Sequence, residues 1–339
     1  MAKERFRAVD LAKGIGIILV VLGHSLKQTE VDAKWIRVLV CLIYSFHMPL
    51  FFMLSGFLAR KILRMETYKE RFLYIKDRAV RLLVPYFVIG GCYIPVKLKL
   101  SAYAVKPFTL RDSLKLLIGQ NPDVSLWFLY VLFVISAICA LCVNECSFRD
   151  ILYGSAALCA ASWWVNIPIN TPKYLFFFLI GIWLRLKYED LQKEGSRYLF
   201  EGQGLPVFFA LILFLIFNRI YFHNGVNIFR LGSSVCGIYV TLWLCEAMLK
   251  RVDGSRLVHI LEMTGLMSMD IYILHEPIMT AAKILFWNKL ALPYPAATLF
   301  IFLFAMLLPY PISKGIVRRV PVLKLLLFGE KNPDRRTMD

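Results

Sequence analysis

The chain is expected to fold as an all-α, polytopic integral membrane protein of about ten transmembrane helices with both termini in the cytoplasm. Three observations carry that expectation. Hydrophobic residues fill 59% of the 339 positions and charged residues only 19%, where soluble domains hold about 45–50% apolar residues. The mean hydropathy is +0.62, and the apolar residues gather in runs of about 17–25, the length that crosses a bilayer. The forty Lys and Arg are, finally, spread unevenly between those runs.

The spans are placed at 8–27, 36–58, 82–100, 124–143, 150–165, 172–188, 205–222, 228–248, 266–286 and 294–313, the fifth the weakest of them. The first resembles a signal peptide because Lys3, Arg5 and Arg7 precede it, but no small-residue cleavage site follows Gly23, and it is expected to be retained. Within the second, Pro49 should disrupt the helix near its middle, with Ser45, Ser55 and Gly56 offering a small-residue surface for close packing or for the freed carbonyls. With the N-terminus inside, cytoplasmic segments and adjoining span ends hold 26 of the basic residues and external ones 12, while Lys13 and Lys283 lie within spans. The stretch from Arg60 to Arg81 alone carries eight, and that from Lys314 to Arg336 seven. Positive-inside topology and attraction to anionic lipid account for the net charge of +17, so no nucleic-acid partner is expected.

The division is one membrane domain over 1–315 followed by a basic cytoplasmic tail over 316–339. The longest loops, 97–123 outside and 59–81 inside, are too short to fold alone, which leaves the chemistry to the bundle. Eight cysteines lie in or beside spans. The close set Cys139, Cys142 and Cys146 has no histidine near it in sequence, so neither a metal site nor a disulfide framework is expected.

The informative ionisable residues sit inside the apolar runs. In DLAKGIGIILVVLGHS, Lys13 and His24 are eleven residues apart, almost a whole number of helical turns, and so share a face about 16 Å apart along the axis. Intramembrane charges cost about 2.5 kcal/mol or more and by default mark a substrate path or catalytic site. Asp10, three residues before Lys13, is placed to orient it. His47 precedes Pro49 and is either a site residue or a histidine hydrogen-bonded to a neighbouring helix. Arg78 and Arg81 stand at i and i+3 at the inner entrance of the third span, and paired guanidiniums suit phosphate oxygens bidentately. The ninth span holds Asp270, His275 and Glu276, an unusual density of ionisable groups, and some of these are expected to face the same cavity. His223 and His259 fall in loops and read as solvated surface.

The blocks DLAKGIGIILVVLGHS, FHMPLFFMLSGFL, KDRAVRLLVPYF, SLWFLYVLF and IYILHEP, in this order, resemble the signature blocks of the acyltransferase-3 family of bacterial membrane O-acyltransferases, and within it the fucose 4-O-acetylase-like group, over roughly residues 5 to 315. The family's basic residue, ten residues and histidine correspond to Lys13 and His24, with lysine where many relatives have arginine. Its Arg-x-x-Arg corresponds to Arg78 and Arg81, its acidic residue to Asp10, its L-W-F-L tryptophan to Trp127 and its late histidine to His275. An interfacial aromatic anchor would account for Trp127 equally well.

The resemblance implies transfer of an acetyl or related acyl group from cytoplasmic acyl-CoA to a hydroxyl of an envelope or surface carbohydrate. The protein would be multi-pass in the bacterial inner membrane, with acetyl-CoA as donor substrate and no permanently bound cofactor. His24, Lys13 and Asp10 would form the catalytic group, Arg78 and Arg81 the donor site, and His47, Trp127, Asp270, His275 and Glu276 the substrate cavity. His24 would serve as general base or as transient acyl carrier. Ten helices with buried charges also suit an exporter of a glycan or small polar solute, although no pair of inverted repeats is evident.

Overall fold

A computed structural model describes residues 5–27, 33–99, 108–165, 170–196, 198–200 and 202–331. Among these there is no strand. The helices are α1 (Arg7–Lys27), α2 (Lys34–Phe57), α3 (Tyr68–Lys99), the short α4 (Leu110–Leu114), α5 (Trp127–Cys142), α6 (Phe148–Trp164), α7 (Asn170–Lys193), α8 (Gly204–Asn224), α9 (Ile228–Arg251), α10 (Arg256–Leu266), α11 (Ser268–Lys283), α12 (Tyr294–Leu307), α13 (Pro309–Gly315) and α14 (Pro321–Phe328).

Every expected span coincides with a helix, but fewer pass as membrane crossings by length and composition. Seven helical stretches do so, and an eighth if α10 and α11, bent by 77° at their junction, form one broken span. The protein is thus an all-helical, multi-pass membrane protein. The expected count of ten exceeds this because α6 has only 17 residues and α7 carries Arg185, Lys187, Glu189 and Asp190 in its last turns.

α1 is the hub of the bundle, packing against α2, α9, α10, α11 and α12. Its crossing with α10 is set by two glycines: a Cβ on Gly14 would lie 2.2 Å from the Leu261 carbonyl oxygen, and one on Gly265 only 1.8 Å from that of Asp10. The α2–α7 crossing repeats the device, with Gly56 on the Phe178 carbonyl and Gly181 on that of Met53. Helices in lipid gain association from such close backbone contact, since apolar side chains alone do not distinguish protein from lipid.

Pro49 does not interrupt α2, which runs unbroken from Lys34 to Phe57. Proline removes one N–H and frees the carbonyl four residues earlier. Here that carbonyl belongs to Ser45, and Ser234 of α9 donates its hydroxyl to it at 2.6 Å. Rescue from a neighbouring helix keeps α2 continuous.

The segment after residue 315 packs on the bundle as far as it is described. Arg318 places two nitrogens on the Asp270 carboxylate, each at 2.9 Å, and Ser313 donates to the same group at 2.5 Å. Gly329, with a φ of 61°, turns the chain so closely over α3 that a Cβ would meet the Val80 carbonyl at 2.4 Å. Glu330 then accepts from Arg81 at 2.8 Å and from Arg318 at 3.0 Å. Residues 332–339 of the expected tail lie outside the described residues.

Candidate active site

α1, α2, α3, the 3₁₀ turn Arg60–Arg64, α5, α7 and α11 line a cavity of about 790 Å³. Its mouth carries Lys13, Arg60, Lys61, Arg64, Arg78, Arg81 and Arg185 against two acids, Asp77 and Glu189. Deeper in, the wall turns apolar, with Ile17 and Val20 from α1, Met48, Phe51 and Leu54 from α2, Phe128 and Leu132 from α5, and Tyr272 from α11. Lys13, Ile17, Val20 and His24 form one stripe on α1 at i, i+4, i+7 and i+11. Lys13 stands at the mouth and Val20 at the cavity's inner end. His24 lies one turn beyond it.

The cations of the mouth differ in their partners. Arg60 and Arg185 share Glu189, each at 2.6 Å. Arg81 donates to the Phe328 carbonyl at 2.7 Å as well as to Glu330. Lys13 lies 3.9 Å from Asp10, whose other oxygen accepts from Arg5 at 3.0 Å, so Asp10 sits between two cations. Arg78 pairs with no carboxylate among the described residues; its Nε donates to the Tyr74 hydroxyl at 3.1 Å and its guanidinium lies 5.2 Å from that ring's centre. It is the arginine of the pair whose charge remains available to a ligand.

Beyond Val20, His24, His275 and Glu276 come together. Their ligating atoms all lie within 4.8 Å of one another. His24 Nδ1 is 3.5 Å from Glu276 Oε2, and its ring packs edge-on to His275 at 5.3 Å and in parallel with Tyr44 at 6.2 Å. His275 is fully buried. Its Nδ1 lies 2.7 Å from the Tyr272 carbonyl, which can only accept, so Nδ1 carries a hydrogen, and Nε2 has no hydrogen-bond partner among the described residues. His47 is fixed in the same way by the Ile43 carbonyl at 2.7 Å, and it meets Tyr44 edge-on at 5.0 Å. Trp127 opens α5, 5.4 Å from the Tyr174 ring, which stacks on Phe52 at 4.5 Å.

The structure therefore gathers His24, His275 and Glu276 at one centre, with His47 one ring away through Tyr44, and places Lys13, Arg78 and Arg81 at one mouth. It does not bring Asp270 to the cavity. That carboxylate is 1% exposed and holds Arg318 and the C-terminal segment in place. Sequence reasoning missed Glu330 and Arg318, because nothing local ties them to residues 48 or more positions away. It also missed Tyr44 and Tyr272, which read as ordinary apolar positions of their helices.

Fold and site define a multi-pass membrane protein with a cation-lined cavity mouth and a histidine–carboxylate centre beyond the cavity's far end. The chain matches the model of the acyltransferase-3 family, described as an acyltransferase domain, over residues 6–314, and it belongs to that family. It is similar to the Nodulation protein NolL of Sinorhizobium fredii, 38% identical over 105 residues, which is 30% of this chain and 27% of that protein. It is also similar to the Nodulation protein NolL of Mesorhizobium japonicum, 32% identical over 134 residues, 39% of this chain and 34% of that protein. The chain thus spans about a third or less of the length of these curated relatives. No solved structure matches.

Proposed function

We propose that the protein is an O-acyltransferase of the bacterial inner membrane, with both termini cytoplasmic, that moves an acetyl or related acyl group from cytoplasmic acyl-CoA to a hydroxyl of an envelope or surface carbohydrate. The observation that carries this reading is a single cavity that begins at a ring of cations, becomes apolar, and ends one helical turn short of His24 and Glu276. Coenzyme A has the matching polarity, anionic at its nucleotide end and neutral along its arm.

On this reading Arg78 takes a donor phosphate, helped by Arg64 and Lys13, and the apolar walls hold the arm with the thioester near Val20 and Tyr272. The acceptor enters from the far side, past Trp127, His47 and His275. As the substrates bind, Glu276 Oε2, 3.5 Å from His24 Nδ1, closes on that nitrogen and accepts its hydrogen, which leaves Nε2 as the base. Nε2 removes the acceptor hydroxyl's proton as its oxygen attacks the thioester carbonyl. The carbon–sulfur bond breaks, and the imidazolium returns the proton to the departing thiolate. A base so placed contributes about 10²–10⁴-fold. Glu276 stabilises the imidazolium while it lasts.

The test is transfer of label from acetyl-CoA to membrane glycan in vesicles holding the native protein or His24→Ala at equal amounts. Transfer by the native protein that disappears in the variant is the expected result. Equal transfer by both removes His24 from the chemistry, and transfer by neither, with glycan and donor present, counts against the reading and favours a solute exporter.

A further inference from the structure

Beside the His24 centre, and not used by the mechanism above, two cations share one indole. Lys173, in the first turn of α7, lies with Nζ 5.2 Å from the centre of the Trp163 ring, and Arg230, in the first turn of α9, lies 5.4 Å from the same ring. Arg230 also donates to the Tyr44 carbonyl at 3.1 Å and to the Tyr221 hydroxyl at 3.4 Å. No carboxylate pairs with either cation among the described residues. Lys173 is only 9% exposed, and among the described residues its ammonium has no hydrogen-bond acceptor.

Simple anchoring does not explain this arrangement. A lysine that snorkels stretches its head out into water, whereas this side chain lies over a buried tryptophan and leaves the residue only 9% exposed. A single ring can favour a cation through its face, but two like charges drawn to one ring repel each other. Both also stand at the positive ends of long helices, where the macrodipole and unpaired N–H groups favour an anion and disfavour a cation. Buried Lys173, half-buried Arg230 and two helix starts therefore leave a local excess of positive charge that no carboxylate balances among the described residues. The excess lies next to the centre: the Tyr44 residue whose carbonyl receives Arg230 has its ring 6.2 Å from that of His24.

We propose that Lys173 and Arg230 form an oxyanion-binding subsite for the acceptor, one that holds the carboxylate of an acidic sugar or the phosphate of a lipid-linked glycan and so brings the neighbouring hydroxyl to His24. Its assignment to an acceptor rests on the acyltransferase reading; the anion site itself does not.

The experiment uses the full-length protein in lipid nanodiscs, native and Lys173→Met, with Arg230→Gln as a second variant. Binding of glucuronate, glucose and inorganic phosphate is measured by thermal shift, and acetyl-CoA binding is measured on the same samples. Lys173→Met is the primary variant because it keeps the stem over Trp163 and breaks no hydrogen bond. Native protein should bind glucuronate or phosphate but not glucose, Lys173→Met should weaken that binding at least tenfold, and its acetyl-CoA affinity should be unchanged. A response to glucuronate points to an acidic sugar, and a response to phosphate alone points to a lipid-linked phosphate. Absence of anion binding by the native protein, or binding that Lys173→Met leaves intact, overturns the proposal. Anion binding that depends on Lys173 in a protein that never binds acetyl-CoA keeps the subsite and removes the acyltransferase reading.

Discussion

The cation-lined mouth and the His24 centre are built on opposite principles. At the mouth seven cations line one opening, and several are already paired within the protein, Arg60 and Arg185 to Glu189 and Arg81 to Glu330. At the centre a single imidazole meets a single carboxylate at 3.5 Å, and the neighbouring histidines are each tied to a backbone carbonyl of their own helix. Redundant long-range charge and a unique short-range contact fail differently when perturbed. Losses at the mouth should be partial and should fall on binding; losses at the centre should be large and should fall on turnover.

The largest effect within this comparison is expected for Glu276→Gln. The amide no longer selects the Nδ1–H tautomer of His24 or offsets the imidazolium, so turnover should fall about 10²-fold with donor affinity unchanged. Release of coenzyme A at saturating donor, set beside acetyl-CoA binding, measures both. A fall in donor affinity of the same size would erase the distinction between the two regions.

Second comes the buried pair that holds the C-terminal segment. Arg318→Ala leaves the Asp270 carboxylate, 1% exposed, with Ser313 alone. Removal of one partner of a fully buried pair costs about 3–5 kcal/mol. Arg318 is itself 35% exposed, and solvent screening reduces the figure to about 2 kcal/mol. A lower Tm with donor affinity retained is the expected outcome, and an unchanged Tm would show that the Arg318–Asp270 pair does not hold the C-terminal segment.

The two arginines in the first half of α3 sharpen the comparison further. Arg78→Ala should weaken acetyl-CoA binding about tenfold, about 1.4 kcal/mol, because Arg78 holds no carboxylate of its own. Arg81→Ala should weaken it by no more than about threefold, since Glu330 already neutralises Arg81, and should instead loosen residues 321–331. Equal tenfold losses in donor binding would mean that Glu330 yields Arg81 to the ligand.

What could be read from the sequence divides along the same line. The helices, the Lys13–His24 stripe and the Arg78–Arg81 pair depend on spacing within one element, and apolar run length and a 3.6-residue period report such spacing directly. The partners of those residues depend on crossings between elements distant in sequence. Asp270 illustrates the difference: its place in the same apolar helix as His275 and Glu276 marks it as unusual, yet on α11 it stands about one and a half turns nearer the helix N-terminus than they do, where Arg318 meets it. Pro49 makes the same point for the backbone, because the hydroxyl that keeps α2 continuous comes from Ser234, 189 positions away.

The smallest effect expected is a pH dependence confined to the C-terminal segment. Burial pushes the Glu330 carboxyl up, but its hydrogen bond with Arg81 and the charges of Arg81, Arg318 and Lys324 outweigh that and hold it below the usual carboxylate range. A carboxyl depressed in the folded state contributes stability that is present above its unfolded pKa, about 4.3, and is lost as pH falls through the folded value. Docking of residues 321–331 should therefore be constant from neutral pH down to about pH 5 and weaken below about 4. Hydrogen exchange of the α14 amides against pH reads this directly, and Glu330→Gln should flatten the profile by removing the titrating group. The His24 centre holds no part of this segment, so turnover corrected for donor occupancy should not follow the same curve. If it does, the C-terminal segment and the centre are coupled through α11, which carries Asp270 to one and Glu276 to the other, and the separation drawn between them gives way to a single responsive unit.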